Sequence, residues 1–212
     1  PYCKADEKPV IYNGIAYLNY MKNNFIDSKY YYHKALQYAE EELNPHTIIS
    51  SNSNLGGIYR IFNDYDKASI YYNNALNTAI KLQDNENIQG IYNNLGNLYY
   101  DLGEFSKAIS FYQSSLKISK ELNDAAQIAT GMMNIGNVHL DLGEHEKALE
   151  YHLESWELKQ TESDIRSKIQ SLSNISAIYT TLGDSINSKR YFDYSMKIIG
   201  DYPLPAYRAM LL

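Results

Sequence analysis

Residues 88–122 read IQGIYNNLGNLYYDLGEFSKAISFYQSSLKISKEL and contain the pattern that decides the fold. From Ile88 to Leu102 the apolar residues recur every three or four positions, which places them on one face of a helix. Gly103-Glu104 is a turn signal, and Phe105 to Leu122 carries a second apolar stripe with helical spacing. Asp124 then follows a break in the stripe and can cap the next helix. The stretch therefore predicts two helices joined by a short turn.

The same pattern recurs along the chain at a fixed interval, which is the spacing between Asn94 and Asn134. Asn94-Leu95-Gly96-Asn97 returns as Asn134-Ile135-Gly136-Asn137, and related segments stand at 54–57, 174–177 and, more distantly, 14–17. Five copies without a slip in register indicate a repeat protein, and no segment alternates with the period of a strand. We divide residues 1–200 into five units, at about 6–45, 46–85, 86–125, 126–165 and 166–200, and assign 201–212 to the start of a sixth unit or a capping helix.

Positions separated by whole repeat intervals form columns, and one column holds Gly56, Gly96 and Gly136 in the middle of predicted helices. Glycine at such a position costs about 1 kcal/mol relative to alanine, so a recurring glycine needs a recurring benefit. We expect the paired helix to approach closely there, with Ala108 and Ala148 as the reciprocal small surface. Most of the 22 tyrosines are then interpreted as packing between helices and repeats.

Composition narrows the function. Lys and Arg number 19 and Asp and Glu 25, a formal charge of −6, which argues against nucleic acid and anionic membrane surfaces as partners. The single cysteine, Cys3, excludes an internal disulfide and a cysteine-rich metal fold. No apolar run is long enough to span a bilayer, and the polar start has no signal-peptide core. These features favour a cytoplasmic protein; an extracytoplasmic one that has lost a signal sequence stays open.

The columns resemble those of the tetratricopeptide repeat (TPR) family. In the third unit the resemblance rests on Tyr92, Leu95, Gly96, Tyr99, Ala108, Tyr112 and Ser115. The usual TPR has about 34 residues. The longer repeat of this chain resembles the subgroup found in kinesin light chains, Pins-type adaptors and bacterial peptide-responsive regulators. The resemblance implies an all-α, right-handed superhelical solenoid of antiparallel helix pairs, whose first helices line a concave groove that binds a protein or an extended peptide.

The family pattern also implies which residues face the groove. They are Asn54, Arg60, Asn93, Asn94, Asn97, Tyr100, Asp101, Asn134, Asn137, Asp141 and Asn174. Four of them, Asn54, Asn94, Asn134 and Asn174, form a ladder with one asparagine per unit, although asparagine is a weak helix former. One reading is that each carboxamide bonds the backbone of an extended peptide. The other is that each bonds a neighbouring helix, and the sequence leaves both readings open.

Arg60 is the one basic residue among these groove positions. TPR domains that hold the acidic C-terminal tails of chaperones use several basic residues there, so that class of ligand is not expected. With Asp101 and Asp141 nearby, we expect a neutral or basic protein or peptide segment, no nucleic acid and no direct membrane contact.

No catalytic motif is present: the chain has no glycine-rich phosphate loop, nucleophile elbow or zinc-protease motif. His139 and His152 stand in aromatic columns and are interpreted as packing residues, so we expect no enzyme activity, no cofactor and no metal site. A protein-interaction module is the first functional hypothesis. The alternative is a ligand- or partner-sensing regulatory region of a larger bacterial signalling or transcription-regulating protein.

Overall fold

The computed structural model describes residues 7–160 and 165–201. Within these ranges the chain forms ten α-helices and no strand, which confirms the all-α prediction. The helices are α1 (Lys8–Met21), α2 (Phe25–Glu41), α3 (Pro45–Ile61), α4 (Tyr65–Leu82), α5 (Asn85–Asp101), α6 (Phe105–Glu121), α7 (Ala125–Asp141), α8 (His145–Lys159), α9 (Ile165–Thr181) and α10 (Ser185–Asp201). None of these ten helices has the length and apolar character needed to cross a membrane.

The helices belong to two compact units, Pro1–Ile118 and Ser119–Leu212. The first unit contains α1 to α5 and most of α6, and the second contains α7 to α10. Consecutive helices pair as hairpins, α1 with α2, α3 with α4, α7 with α8 and α9 with α10. The proposed sixth unit at 201–212 lies outside the described residues, apart from the backbone of Asp201 at the end of α10.

One residue with left-handed backbone closes every hairpin turn. The five residues stand in a single column, and they are Asn23, Asn63, Gly103, Gly143 and Gly183, with φ between 58° and 78°. Asparagine and glycine are the residue types that adopt this conformation most readily. Side-chain caps begin many of the helices: Asp124, for example, accepts a hydrogen bond from the Gln127 amide at 3.1 Å, as the sequence predicts.

In three hairpins the glycine of the first helix lies directly against a ring of the second helix. A Cβ atom added at Gly56 would lie 2.6 Å from the ring of Tyr72, and one at Gly96 would overlap the ring of Tyr112 in the same way. At Gly136 the neighbour is His152, whose Cδ2 atom would be 2.9 Å away. The predicted close approach is confirmed. However, the group that fills the space is a ring of the second helix and not the alanine column.

In the first and last hairpins the alanine and glycine columns are joined by hydrogen bonds between a serine side chain and the opposite backbone. In the first hairpin Ser28 of the alanine column donates a hydrogen bond to the Ala16 carbonyl at 2.8 Å, and in the last hairpin Ser176 donates to the Ser188 carbonyl at 2.9 Å. Both contacts join the glycine and alanine columns directly. In these two hairpins the small residues of the two columns therefore face each other.

Stacked rings form a second recurring contact inside the hairpins. The pairs are Tyr59–Tyr71, Tyr99–Phe111, His139–Tyr151 and Tyr179–Tyr191, with centroids 5.2 to 5.5 Å apart and planes within 16° of parallel. Trp156 is buried in the core of the second unit with Leu172 and Ile175. The interpretation of the aromatic columns as packing residues is confirmed at these positions.

Candidate binding surface

First helices of successive hairpins contact one another in the first unit. Ser51 of α3 donates a hydrogen bond to the Asn13 carboxamide oxygen of α1 at 3.3 Å. Asn94 of α5 likewise donates from Nδ2 to Ser53 Oγ of α3, at 3.4 Å. We call the surface shared by α1, α3 and α5 the first-helix wall of this unit. It holds seven of the predicted groove residues, Asn54, Arg60, Asn93, Asn94, Asn97, Tyr100 and Asp101.

An ion pair crosses this wall between α3 and α5. Arg60 Nη1 lies 2.6 Å from Asp101 Oδ2, and each side chain is 31% exposed. Burial opposes the charge of Arg60, but the hydrogen bond and charge of Asp101 together with the neighbouring Tyr72 outweigh it and hold the pKa of Arg60 above its usual value. The two charges cancel, so this part of the wall has polar groups but little net charge.

Buried tyrosines of the second helices also contact residues of the first-helix wall. Tyr112 passes over Gly96 and donates its hydroxyl hydrogen to Asn97 Oδ1 at 2.7 Å. In the preceding hairpin, Tyr72 passes over Gly56 towards Arg60. Burial raises the pKa of Tyr72 to about 12, although the charge and hydrogen bond of Arg60 act in the opposite direction. The glycine column thus brings phenol groups to the wall, a role that the sequence did not reveal.

In the second unit the predicted residues lie on α7 and α9. Asn134 and Asn137 are half-buried on α7, and Asp141 is exposed at its end. On α9, Asn174 is half-buried and accepts a hydrogen bond from Gln170 Nε2 at 2.8 Å. The structure therefore places these four residues on first helices, as the family pattern implies.

The four asparagines of the ladder are buried to a similar degree in their hairpins. Asn54, Asn94, Asn134 and Asn174 are each half-buried, next to a leucine or isoleucine that is almost fully buried. Asn94 makes a hydrogen bond to a neighbouring helix, as the second of the two readings of the ladder predicts, but at 3.4 Å this bond is long. Each carboxamide carries two donor hydrogens and an acceptor oxygen, so one such bond does not saturate it.

Lys159 is a residue of this region that the sequence analysis missed. It belongs to a column with Ala39, Ala79, Ser119 and Ile199, and it is almost completely buried. Its Nζ atom lies 3.3 Å from Ser171 Oγ of α9 and 3.6 Å from Met133 Sδ of α7. The sequence signal for it is a lysine in a column whose other members are all uncharged. It brings a positive charge from the second helix to the two first helices of the second unit.

His152 lies beside this charge and is also buried. Desolvation, and to a smaller degree the charge of Lys159, lower its pKa to about 4. Within the described residues its Nε2 atom has no hydrogen-bond partner. The imidazole is therefore neutral at physiological pH and acts as a packing group, as the sequence analysis predicts.

The first-helix wall of the first unit offers amides, hydroxyls and a paired charge, which suit hydrogen bonding to a polypeptide backbone. Among the described residues no group of three or more His, Cys, Asp or Glu side chains is arranged to hold a metal ion.

Comparison with known proteins identifies the repeat. A tetratricopeptide repeat family model matches residues 7–81 and 87–161. A comparison with curated proteins found no match. Among solved structures, BtubC (BKLC) from P. vanneervenii is similar over 95% of this chain and 87% of its own, with a TM-score of 0.80 and 22% identity.

Two larger proteins contain a similar fold. NprR in complex with its cognate peptide NprX matches 94% of this chain and 58% of its own, with a TM-score of 0.70 and 18% identity. A STAND signal transduction ATPase with a tetratricopeptide repeat sensor, from Pyrococcus horikoshii, matches 97% of this chain and 32% of its own, with a TM-score of 0.83 and 19% identity. The present chain therefore corresponds to only part of each of these two proteins. With helix hairpins that recur at a fixed interval and a family match that covers most of its length, the chain belongs to the tetratricopeptide repeat family.

Proposed function

We propose that the chain binds an extended protein or peptide segment on the surface of its first helices. The observation that supports this most directly is the asparagine ladder, which returns once per repeat at half-buried positions beside the core. An extended peptide presents a donor and an acceptor at each residue, and a carboxamide can bond to both. NprR, which has a similar fold, was solved with a bound peptide.

The proposed contact residues are Asn54, Arg60, Asn93, Asn94, Asn97, Tyr100 and Asp101 in the first unit, and Asn134, Asn137, Asp141 and Asn174 in the second. We propose a neutral or basic ligand. Arg60 and Asp101 cancel each other at 2.6 Å, and the chain as a whole carries a formal charge of −6. Its acidic excess would speed the approach of a basic segment more than it would strengthen the complex.

The test is a peptide-display selection on the wild-type chain, followed by calorimetric titration of the selected peptides. Asn54→Ala together with Asn94→Ala, both in the first unit, should weaken binding about tenfold or more, because each lost hydrogen bond is worth roughly 1 kcal/mol. Asn74→Ala is the matched control, since Asn74 is an exposed asparagine on α4, a second helix. Equal affinities for the wild type, the double variant and the control would show that the ladder serves packing alone.

A second candidate is a sensing region that passes ligand binding on to an attached output domain. The similarity to the repeat sensor of the STAND ATPase, of which the chain matches 32%, favours it. If the chain is a sensor, a selected peptide should change its X-ray scattering profile, because a ligand biases only states that differ in structure or dynamics. Tight binding with an unchanged profile and unchanged amide-hydrogen exchange would favour a simple interaction module.

A further inference from the structure

Gly57 leaves a gap in the first-helix wall, in the second half of α3, where it is half-buried. Its column holds a side chain in every other hairpin, namely Tyr17, Asn97, Asn137 and Ala177. A Cβ atom added at Gly57 would lie 3.6 Å from the Tyr72 hydroxyl oxygen, which is ordinary van der Waals contact. Unlike Gly56, this glycine is therefore not required by packing within its hairpin, although glycine is unfavourable inside a helix.

The next hairpin shows what a side chain does at this position. Asn97 stands in the column of Gly57, and its Oδ1 atom accepts a hydrogen bond from the Tyr112 hydroxyl at 2.7 Å. Tyr72 is the equivalent of Tyr112, and its ring passes over Gly56 as the ring of Tyr112 passes over the next glycine of that column. At Gly57 the chain therefore provides the ring and its hydroxyl but not the carboxamide that accepts from it.

The Tyr72 hydroxyl keeps a hydrogen that no described residue accepts. The polar group it contacts is Arg60, whose guanidinium donates hydrogen bonds and accepts none. The Tyr72 oxygen is therefore the acceptor in that contact, and its own hydrogen remains available. Arg60 Nε is a second donor at this place, since it is buried without a hydrogen-bond partner in the described part of the chain. Buried donors without an acceptor are unfavourable, so a ligand that brings an acceptor gains affinity here.

The neighbouring groups favour a neutral acceptor with hydrogens of its own. Arg60 lies one turn after Gly57 on the same face of α3, and its charge is already paired with Asp101 at 2.6 Å. The negative charge of Asp101 also acts on the Tyr72 hydroxyl, whose pKa it helps to raise, so a ligand carboxylate would be repelled. Asn54 lies one turn before Gly57, and within the described residues its carboxamide has no hydrogen-bond partner. It can therefore accept a hydrogen from the ligand.

We propose that the gap at Gly57 is a subsite for an asparagine or glutamine side chain of the bound peptide. The ligand carboxamide takes the place that Asn97 occupies in the next hairpin: its oxygen accepts the Tyr72 hydroxyl hydrogen, and its NH2 group donates to Asn54. The subsite rests on the proposed function, because it belongs to the segment bound on the first helices. It gives the hairpin of α3 and α4 a selective role, whereas the ladder asparagines bond the peptide backbone whatever its sequence.

The first experiment tests the available hydroxyl without a ligand. Gly57→Asn should raise the melting temperature by about 2–4 °C, because it supplies the missing acceptor and a better helix former. In a Tyr72→Phe background the gain should shrink to that of Gly90→Asn, the control, since nothing lies within 4 Å of a Cβ atom added at Gly90. A gain from Gly57→Asn that is the same with and without the Tyr72 hydroxyl would overturn the subsite.

The second experiment uses peptides selected by display on the wild-type chain. They should share an asparagine or glutamine at one position. Its replacement by leucine, or by the matching acid, should weaken binding to the wild type about fivefold or more in calorimetric titration. Gly57→Asn fills the gap, so it should bind the selected and the leucine-substituted peptide with equal affinity, and far-UV circular dichroism verifies that it is folded. Leucine at a neighbouring position of the peptide is the control.

The outcomes separate the subsite from the proposed function. Peptides whose binding depends on Asn54 and Asn94 but shows no carboxamide preference would overturn the subsite and leave the proposed function intact. A preference for acidic side chains would also overturn the subsite, and so would a carboxamide preference that persists in Gly57→Asn. If no peptide binds the wild type, the proposed function fails, and the subsite fails with it.

Discussion

In the first compact unit Gly56 and Gly96 lie against the rings of Tyr72 and Tyr112, whereas in the second unit Gly136 lies against His152. The backbone arrangement is the same, but the two kinds of ring end differently. A phenol is long enough to place its hydroxyl on the far side of the glycine, where Tyr112 bonds Asn97. The imidazole of His152 is shorter than a phenol, and its Nε2 atom is buried without a hydrogen-bond partner among the described residues.

This difference shows that one packing position can serve two purposes. In the first unit the rings of Tyr72 and Tyr112 fill the core and also contact polar side chains of the first-helix wall. In the second unit it fills the core only, and it adds a group that protonates within an accessible pH range. The predictions below test this contrast, beginning with the largest expected effect.

Acid should destabilise the second unit through His152. The pKa of this group is lowered from 6.5 to about 4, mainly by desolvation. Between these values the unfolded chain binds a proton that the folded chain does not, so the free energy of unfolding falls as the pH falls through this window. The loss should reach roughly 3 kcal/mol by pH 4. Urea unfolding followed by Trp156 fluorescence measures it, since the single tryptophan lies in the second unit.

His152→Tyr makes the second unit resemble the first and should flatten this dependence. His46→Gln is the control, because His46 is a largely exposed histidine of the first unit. A His152→Tyr variant that keeps the full acid sensitivity of the wild type would show that other groups cause it.

Gly96→Ala should destabilise the first unit by about 1–3 kcal/mol, because the added methyl group overlaps the ring of Tyr112. Gly90→Ala on the same helix is the matched control: nothing lies within 4 Å of its added Cβ atom, so it should stabilise by roughly 0.5–1 kcal/mol. Gly136→Ala should fall between them, since His152 leaves slightly more room. Thermal melts of the three variants test this order, and equal effects at positions 90 and 96 would exclude close ring packing as the reason for the glycine.

Asp101→Asn should have the smallest effect, a loss of up to about 1 kcal/mol that shrinks as salt is added. The ion pair with Arg60 is particular to the first unit, because the two positions equivalent to this pair in the second unit are Leu140 and Thr181. Asp193→Asn, at an exposed position of α10, removes the same charge as a control. A salt-independent loss in chemical denaturation would indicate that hydrogen-bond geometry, and not charge, holds the pair together.

Much of the fold could be predicted from the sequence because the signals are periodic. The repeat register, the turn residues Asn63, Gly103 and Gly143, and the small residues in the glycine column all follow from backbone geometry, which the chain repeats. The family pattern placed the predicted groove residues on first helices, and the structure agrees with that placement. What they bind remains a proposal.

The hydrogen-bond and packing partners of individual side chains could not be predicted from the sequence. They depend on contacts between residues of different columns, whereas the repeat shows only which residues share a column. The column of Gly96 indicates that something fills the space, but only the three-dimensional packing shows that it is Tyr112 and that its hydroxyl reaches Asn97. The pairing of Arg60 with Asp101 joins two different columns, so the repeat register does not indicate it. Lys159 differs in type from the other residues of its column, so the column does not indicate which side chains surround it.

The left-handed turn residues have a consequence for how such a chain can change in length. Because Asn23, Asn63, Gly103, Gly143 and Gly183 close every hairpin in the same way, any window of one repeat length begins and ends at equivalent points of the backbone. A duplication or deletion of one window restores every column at its junction, whereas a change that is not a whole number of repeats displaces all columns beyond it. Recombination within the gene can therefore add or remove whole hairpins without a new turn or a new core.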